Sequence, residues 1–117
     1  MVTLSAEEKR ALCNIMAEHL PKIRELLGAT QEVFGELCGL SRITISRIEN
    51  GSARMNWGHL TSIMFVCACN RRTKEYFYAN NILGTRFLQF IQQKDANIPP
   101  ETNIVVDLEA LRAYAGK

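Results

Sequence analysis

The chain has little of what stops a helix, spans a membrane or builds a reactive centre. Three prolines in 117 residues, two of them side by side at Pro99-Pro100, leave long stretches open to helix, because proline lacks the N–H that an interior helical position donates. No apolar run approaches the roughly 18 residues that a membrane span takes, so no membrane partner is expected. Ser5-Ala6-Glu7-Glu8 comes too early for a signal-peptide pattern, so a cytoplasmic protein is expected. Charge of one sign is scarce too. A formal net charge of +2 does not by itself announce nucleic acid, so any basic face must come from placement. The four cysteines, Cys13, Cys38, Cys67 and Cys69, show neither a disulfide framework nor metal-ligand spacing. Cys67 and Cys69 at i, i+2 point to different sides of a helix, and His19 and His59 are isolated. Buried thiols acting as small hydrophobes are the expectation, against a redox-sensing cysteine as the alternative, with no metal and no cofactor. Nothing local pairs a nucleophile with a base, so no enzymatic activity is expected.

What is there is a pattern of short amphipathic helices. With 47% hydrophobic residues, the chain can fill one core, and it is too short for a second, ligand-sensing domain. The most informative stretch is Thr30 to Gly51, TQEVFGELCGLSRITISRIENG. Thr30 is placed to cap a helix, in which Val33, Phe34, Leu37 and Cys38 fall on one side and Gly35 leaves room for a close crossing. Gly39 ends it, taking positive φ without strain. Leu40 plugs the corner and Ser41 caps a second helix, Arg42 to Asn50. There Ile45 and Ile48 face inward while Arg42, Ile43, Thr44, Ser46 and Arg47 face out. Asn50-Gly51 closes it.

This stretch resembles the helix-turn-helix of phage repressor and Cro type regulators, the XRE family. The pattern T-Q-x-x-L-A/G-x-x-L-G-hydrophobic-S-R-x-T-I/V-S-x-I/L-E-N-G is met nearly position by position, with Phe34 and Cys38 standing where leucines are usual. The resemblance implies an all-α, five-helix DNA-binding domain, here spanning 21–79. An N-terminal helical segment, 1–20, precedes it and a helical extension, 80–117, follows.

Before the motif, Ser5 and Glu8 form a capping box, and Leu12, Ile15, Met16 and Leu20 give the first helix an apolar face. Pro21 then predicts either a kink or a break with a restart. Beyond the motif, Asn56 caps a helix that buries Trp57, Leu60, Ile63, Met64 and Cys67, and Asn70 ends it. Thr73 caps again. Thr73 to about Lys94 is open to two readings, one kinked helix or two short ones, since Asn80-Asn81 and Gly84 are weak helix formers. The apolar side chains Tyr76, Phe77, Phe87, Phe90 and Ile91 are candidates for a dimer interface, against packing within the chain. Asp95 to Thr102 reads as a linker, Asn103 to Val106 as a short strand, and Leu108 to Ala115 as a last helix capped by Asp107 and ended by Gly116. That tail packs on the body or on a partner.

The resemblance also assigns roles. Arg42, Ile43, Thr44 and Arg47 stand where the family reads bases in the major groove of double-stranded DNA, the arginines suited to guanine and Ile43 or the Thr44 methyl to thymine. Each arginine is open to holding a phosphate instead. Gln31 falls at a family backbone-contact position, and Ser41, Ser46, Asn50 and Arg54 are further candidates for backbone contact, Asn50 being explicable as a cap alone. The cluster Arg71-Arg72-Thr73-Lys74 is either a phosphate contact or a solvated surface. Arg24 and Glu49 match a structural ion pair of the family, either partly buried or exposed. The implied function is a sequence-specific transcriptional regulator, a homodimeric repressor on a two-fold operator. The alternatives are an antitoxin-type autorepressor gripping a toxin through its C-terminal part, and a protein-interaction module that has lost DNA.

Overall fold

Ser5 opens the first helix of the computed structural model, which describes residues 1–102 and 104–115. Its hydroxyl accepts from the Glu8 N–H at 3.0 Å while the Glu8 carboxylate accepts from the Ser5 N–H at 2.8 Å, the reciprocal bonds of a capping box. From there α1 runs over Ala6–Leu27. Pro21 neither breaks nor restarts it: the helix is continuous through that residue. Burial explains this, because Met16, Leu20 and Ile23 are wholly buried on both sides of the proline, and their packing offsets one missing backbone bond. The buried face turns toward Cys13 and leaves Ile15 exposed.

Helices α2 (Gln31–Cys38) and α3 (Arg42–Glu49) follow, capped by Thr30 and Ser41. Gly39, in the left-handed region at φ 72°, turns the chain between them. The inward face of α2 differs from the expectation. Phe34, Gly35 and Cys38 are buried, whereas Val33 and Leu37 are about half exposed. The cause is local. The Leu40 N–H donates to the Gly35 carbonyl at 2.8 Å, folding the turn so tightly that a methyl on Gly35 would collide with the Leu40 carbonyl oxygen. The helix therefore rolls its glycine side inward.

Asn56 caps α4 (Trp57–Ala68), with Leu60, Ile63 and Cys67 buried. Ser62 Oγ donates to the Cys38 carbonyl, tying α4 to the end of α2. Next comes α5 (Arg71–Asn80), which begins before Thr73. Thr73 is wholly buried and donates its hydroxyl to the carbonyls of Cys67 at 2.8 Å and Asn70 at 3.0 Å. It bridges two helices and is not an N-cap. Asn81 at φ 46° stops α5, and α6 (Gly84–Ile91) starts afresh, so the two-helix reading holds. The core gathers Met16, Leu20, Ile23, Phe34, Ile45, Leu60 and Ile63, all fully buried, with α1 packed against α3, α4 and α5.

The C-terminal part departs furthest from expectation. Gln89, though polar, is buried, and its amide donates to the carbonyls of Asp95, Ala96 and Ile98 at 3.4, 3.2 and 3.0 Å. Gln92 exchanges two 2.8 Å bonds with the Glu101 backbone. The linker is thus pinned to α6. Residues 104–106 form no strand; Asn103 and Gly116 lie outside the described residues. Asp107 Oδ1 accepts from the Ala110 N–H at 3.0 Å and caps α7 (Leu108–Ala115), yet Leu108 and Leu111 are about half exposed. The tail helix does not bury this face on the body.

Candidate nucleic-acid interface

The outward face of α3 is set by what its inward face must do. Ile45 and Ile48 are buried at three-residue spacing, so positions 42, 43 and 47 are left to solvent on the other side. Arg42, Ile43 and Arg47 are exposed, and no described residue forms an ion pair or side-chain hydrogen bond with either guanidinium. Thr44 is half-buried, and its Oγ1 lies 2.8 Å from Ser41 Oγ, which also accepts from the Thr44 N–H at 3.0 Å. Thr44 and Ser41 therefore spend polar capacity on the cap, leaving the threonine methyl for apolar contact.

The expected backbone contacts divide in the same way. Gln31 turns inward: its amide donates to Glu49 Oε1 at 3.3 Å. Ser46 is half-buried. Asn50 Oδ1 accepts from the Ser52 N–H at 2.9 Å and the Ser52 hydroxyl at 2.6 Å, closing the loop after α3. Arg54 is exposed on that loop. Of these five, Arg54 alone presents an uncommitted cation.

Arg24 and Glu49 lock α1 to the end of α3. Arg24 Nε donates to Glu49 Oε2 at 2.6 Å and Nη2 to Oε1 at 2.8 Å, while Nη1 reaches the Ala29 carbonyl at 3.1 Å. The side chains are 21% and 9% exposed, so the pair is largely shielded. Burial pushes the Glu49 carboxyl up, but the bonds from Arg24 and Gln31 outweigh it and hold the group below the usual range. Bonds to Glu49 raise Arg24 against the opposing effect of burial. This two-point fork fixes the end of α3 against the domain, as a helix presented to a rigid partner needs.

Around the rest of the surface, Arg71, Arg72 and Lys74 are exposed at the start of α5, where Asn70 makes no side-chain cap. Buried Thr73 takes no part. Among the interface candidates, Phe77 and Phe87 are core residues, while Tyr76 and Phe90 are half-buried and Ile91 is half exposed. Trp57 explains the shift, taking edge-on contacts from Phe87 and Phe90 at 5.9 and 6.1 Å. Tyr76 meets His19 Nδ1 at 2.6 Å through its hydroxyl. Among the described residues, the exposed aromatics are instead Tyr78 and Phe65, at 76% and 60%. Periodicity within α4 marks Phe65 as off the buried face, since it is out of step with Leu60, Ile63 and Cys67.

Cys13, Cys38 and Cys67 are buried in the core, and Cys69 is half-buried. Burial pushes Cys38 up to about 11 and Cys67, with Cys38 nearby, up to about 12. Among the described residues no cluster of His, Cys, Asp or Glu is placed to hold a metal, and no helix is long and apolar enough to cross a membrane.

A family model described as a helix-turn-helix domain matches residues 15–75. No curated protein and no solved structure matches. The matched span takes in α2, α3 and the Arg24–Glu49 fork, the same residues that carry the repressor-like motif. The chain therefore belongs to the XRE-type helix-turn-helix family, whose domains bind DNA and regulate transcription.

Proposed function

We propose that the protein is a sequence-specific repressor that binds DNA as a homodimer in the cytoplasm, reading the major groove with α3. The observation that carries this is the pair of outward, uncommitted guanidiniums, Arg42 and Arg47, on a helix whose other face is locked by Ile45, Ile48 and the Arg24–Glu49 fork. Arg42 and Arg47 donate to guanine edges, and exposed Ile43 with the Thr44 methyl meets thymine. Arg54 holds the backbone, and the positive end of the α2 dipole favours a phosphate nearby. One such module makes few contacts. Two, on half-sites about 34–36 Å apart, supply the affinity and the two-fold symmetry.

Selection of bound sites from random duplexes, at fixed salt, tests this. A recovered palindrome supports the reading, and its half-site spacing gives the dimer geometry. Weak, salt-sensitive binding with no enriched sequence sinks it. One observation favours a second reading, in which a protein partner such as a toxin is gripped by the C-terminal tail: the half-exposed Leu108 and Leu111 on α7, next to exposed Val105. Co-expression with the product of an adjacent reading frame, followed by capture of a stable complex that removal of residues 103–117 abolishes, supports it. No complex, or one that survives the truncation, counts against it.

A further inference from the structure

The first turn of α1 faces the loop that leaves α3. Ala6, Arg10 and Cys13 line a shallow concavity together with Arg54, Met55 and Trp57. The acids of that turn do not line the concavity, and neither forms an ion pair with Arg10, although Glu7 is its i,i+3 neighbour. Glu7 and Glu8 follow Ala6 by ~100° and ~200° around the helix, and Glu8 is held by Arg86 at 3.1 Å. The loop itself folds back on α3, since the Ser52 and Ala53 N–H groups donate to the Arg47 carbonyl at 3.0 and 3.1 Å. Arg54 follows immediately. Arg10, Arg54 and Arg47 are all exposed, and none forms an ion pair with a described carboxylate. Lys9 fixes this turn in place, its Nζ standing 5.3 Å from the ring centroids of both Trp57 and Phe90.

The geometry points to a short basic track, from Arg54 to Arg10, that binds backbone phosphates of duplex DNA beside the groove read by Arg42 and Arg47 of α3. This rests on the DNA-reading role given above and adds to it a contact from the first turn of α1. Arg10 lies outside the matched residues 15–75, so the contact belongs to this chain's N-terminal segment. The Arg54 and Arg10 side chains line one concavity from two different elements, the loop between α3 and α4 and the first turn of α1, and neither forms an ion pair or side-chain hydrogen bond with a described residue. Duplex DNA, with one charge per ~1.7 Å of axis, neutralises both.

The test is a salt series of binding by fluorescence anisotropy, with full-length wild type, R10A, R10E and R54A on a selected duplex and a random one. Arg112→Ala on α7 serves as the off-track control. R10A weakens both duplexes by the same factor and makes the slope of log K against log salt shallower by about 0.9. R10E weakens binding further, R10A with R54A loses about twice that slope, and R112A loses none. Melting of R10A matches wild type, because Arg10 has no internal partner to lose. An unchanged slope for R10A, or a loss confined to the selected duplex, overturns the phosphate role of Arg10 while leaving α3 as the reader. Failure of wild type to bind any duplex overturns the DNA reading itself, and the track with it.

Discussion

At the scale of single residues, Arg42 and Glu49 show how differently two charges on one short helix act. Arg42 is exposed with no described partner, so removing it leaves the fold alone. R42A should melt as wild type does, yet lose ~1–3 kcal/mol of discrimination at one base pair of each half-site. Competition with single-mismatch duplexes measures this, and an equal loss on random DNA reassigns Arg42 to phosphate. Glu49 sits in the fold, its carboxyl held below the ordinary range by Arg24 and Gln31 against the opposing effect of burial. A depressed folded value means the carboxylate stabilises above the unfolded value, about 4.3, and that contribution fades as pH falls through the folded one. Urea unfolding from pH 7 to pH 3 should show wild-type stability dropping below about pH 4.3, with a smaller drop for E49Q. At pH 7, E49Q should lose about 2–3 kcal/mol, less than the ~3–5 kcal/mol of a fully buried broken pair.

At the scale of elements, the joint between α2 and α3 has the least tolerance. Its geometry depends on Gly35 lying against the Leu40 carbonyl, where an added methyl meets backbone that has nowhere to move. G35A should cost ~1–3 kcal/mol as an overpacking change, and it should weaken DNA binding beyond what the lost stability explains, because the α2–α3 angle opens. Chemical denaturation with binding at a temperature where both proteins are folded separates the two effects. Most helices were legible in sequence because caps and periodicity are local: Ser5, Thr30, Ser41 and Asn56 each mark a helix start, and Gly39 a turn. What failed was decided by contacts between elements. Pro21 reads as either a kink or a break, and only the buried Leu20 and Ile23 rule out the break, while Thr73 reads as a cap until α4 arrives with the Cys67 carbonyl. Val33 and Leu37 read as inward until the Leu40 turn rolls the helix toward Gly35. The site fared similarly. Arg42, Ile43 and Arg47 follow from helical spacing, whereas the commitment of Gln31 to Glu49, and the approach of Arg10 to Arg54, join positions far apart in the chain and have no local sign.

At the scale of the whole molecule, the core closes around α1 to α6 and leaves α7 outside it. Removing residues 103–117 should therefore leave the melting temperature within about 2 °C of wild type, as expected when surface rather than core is lost. Calorimetry checks this, and a large drop would mean that the tail buries more than Leu108 and Leu111 suggest. The clamp on the linker has a mechanical consequence. Were 93–107 free, α7 could range ~50 Å from α6 at full extension, but with Glu101 tied to Gln92 only Thr102 to Asp107 remain as tether, ~20 Å of chain at most. Confinement to that smaller volume raises the effective concentration of α7 at any surface within reach and forbids engagement beyond it. Gln89 and Gln92 thus act as a leash setting, and replacing them would trade the strength of a nearby grip for distance.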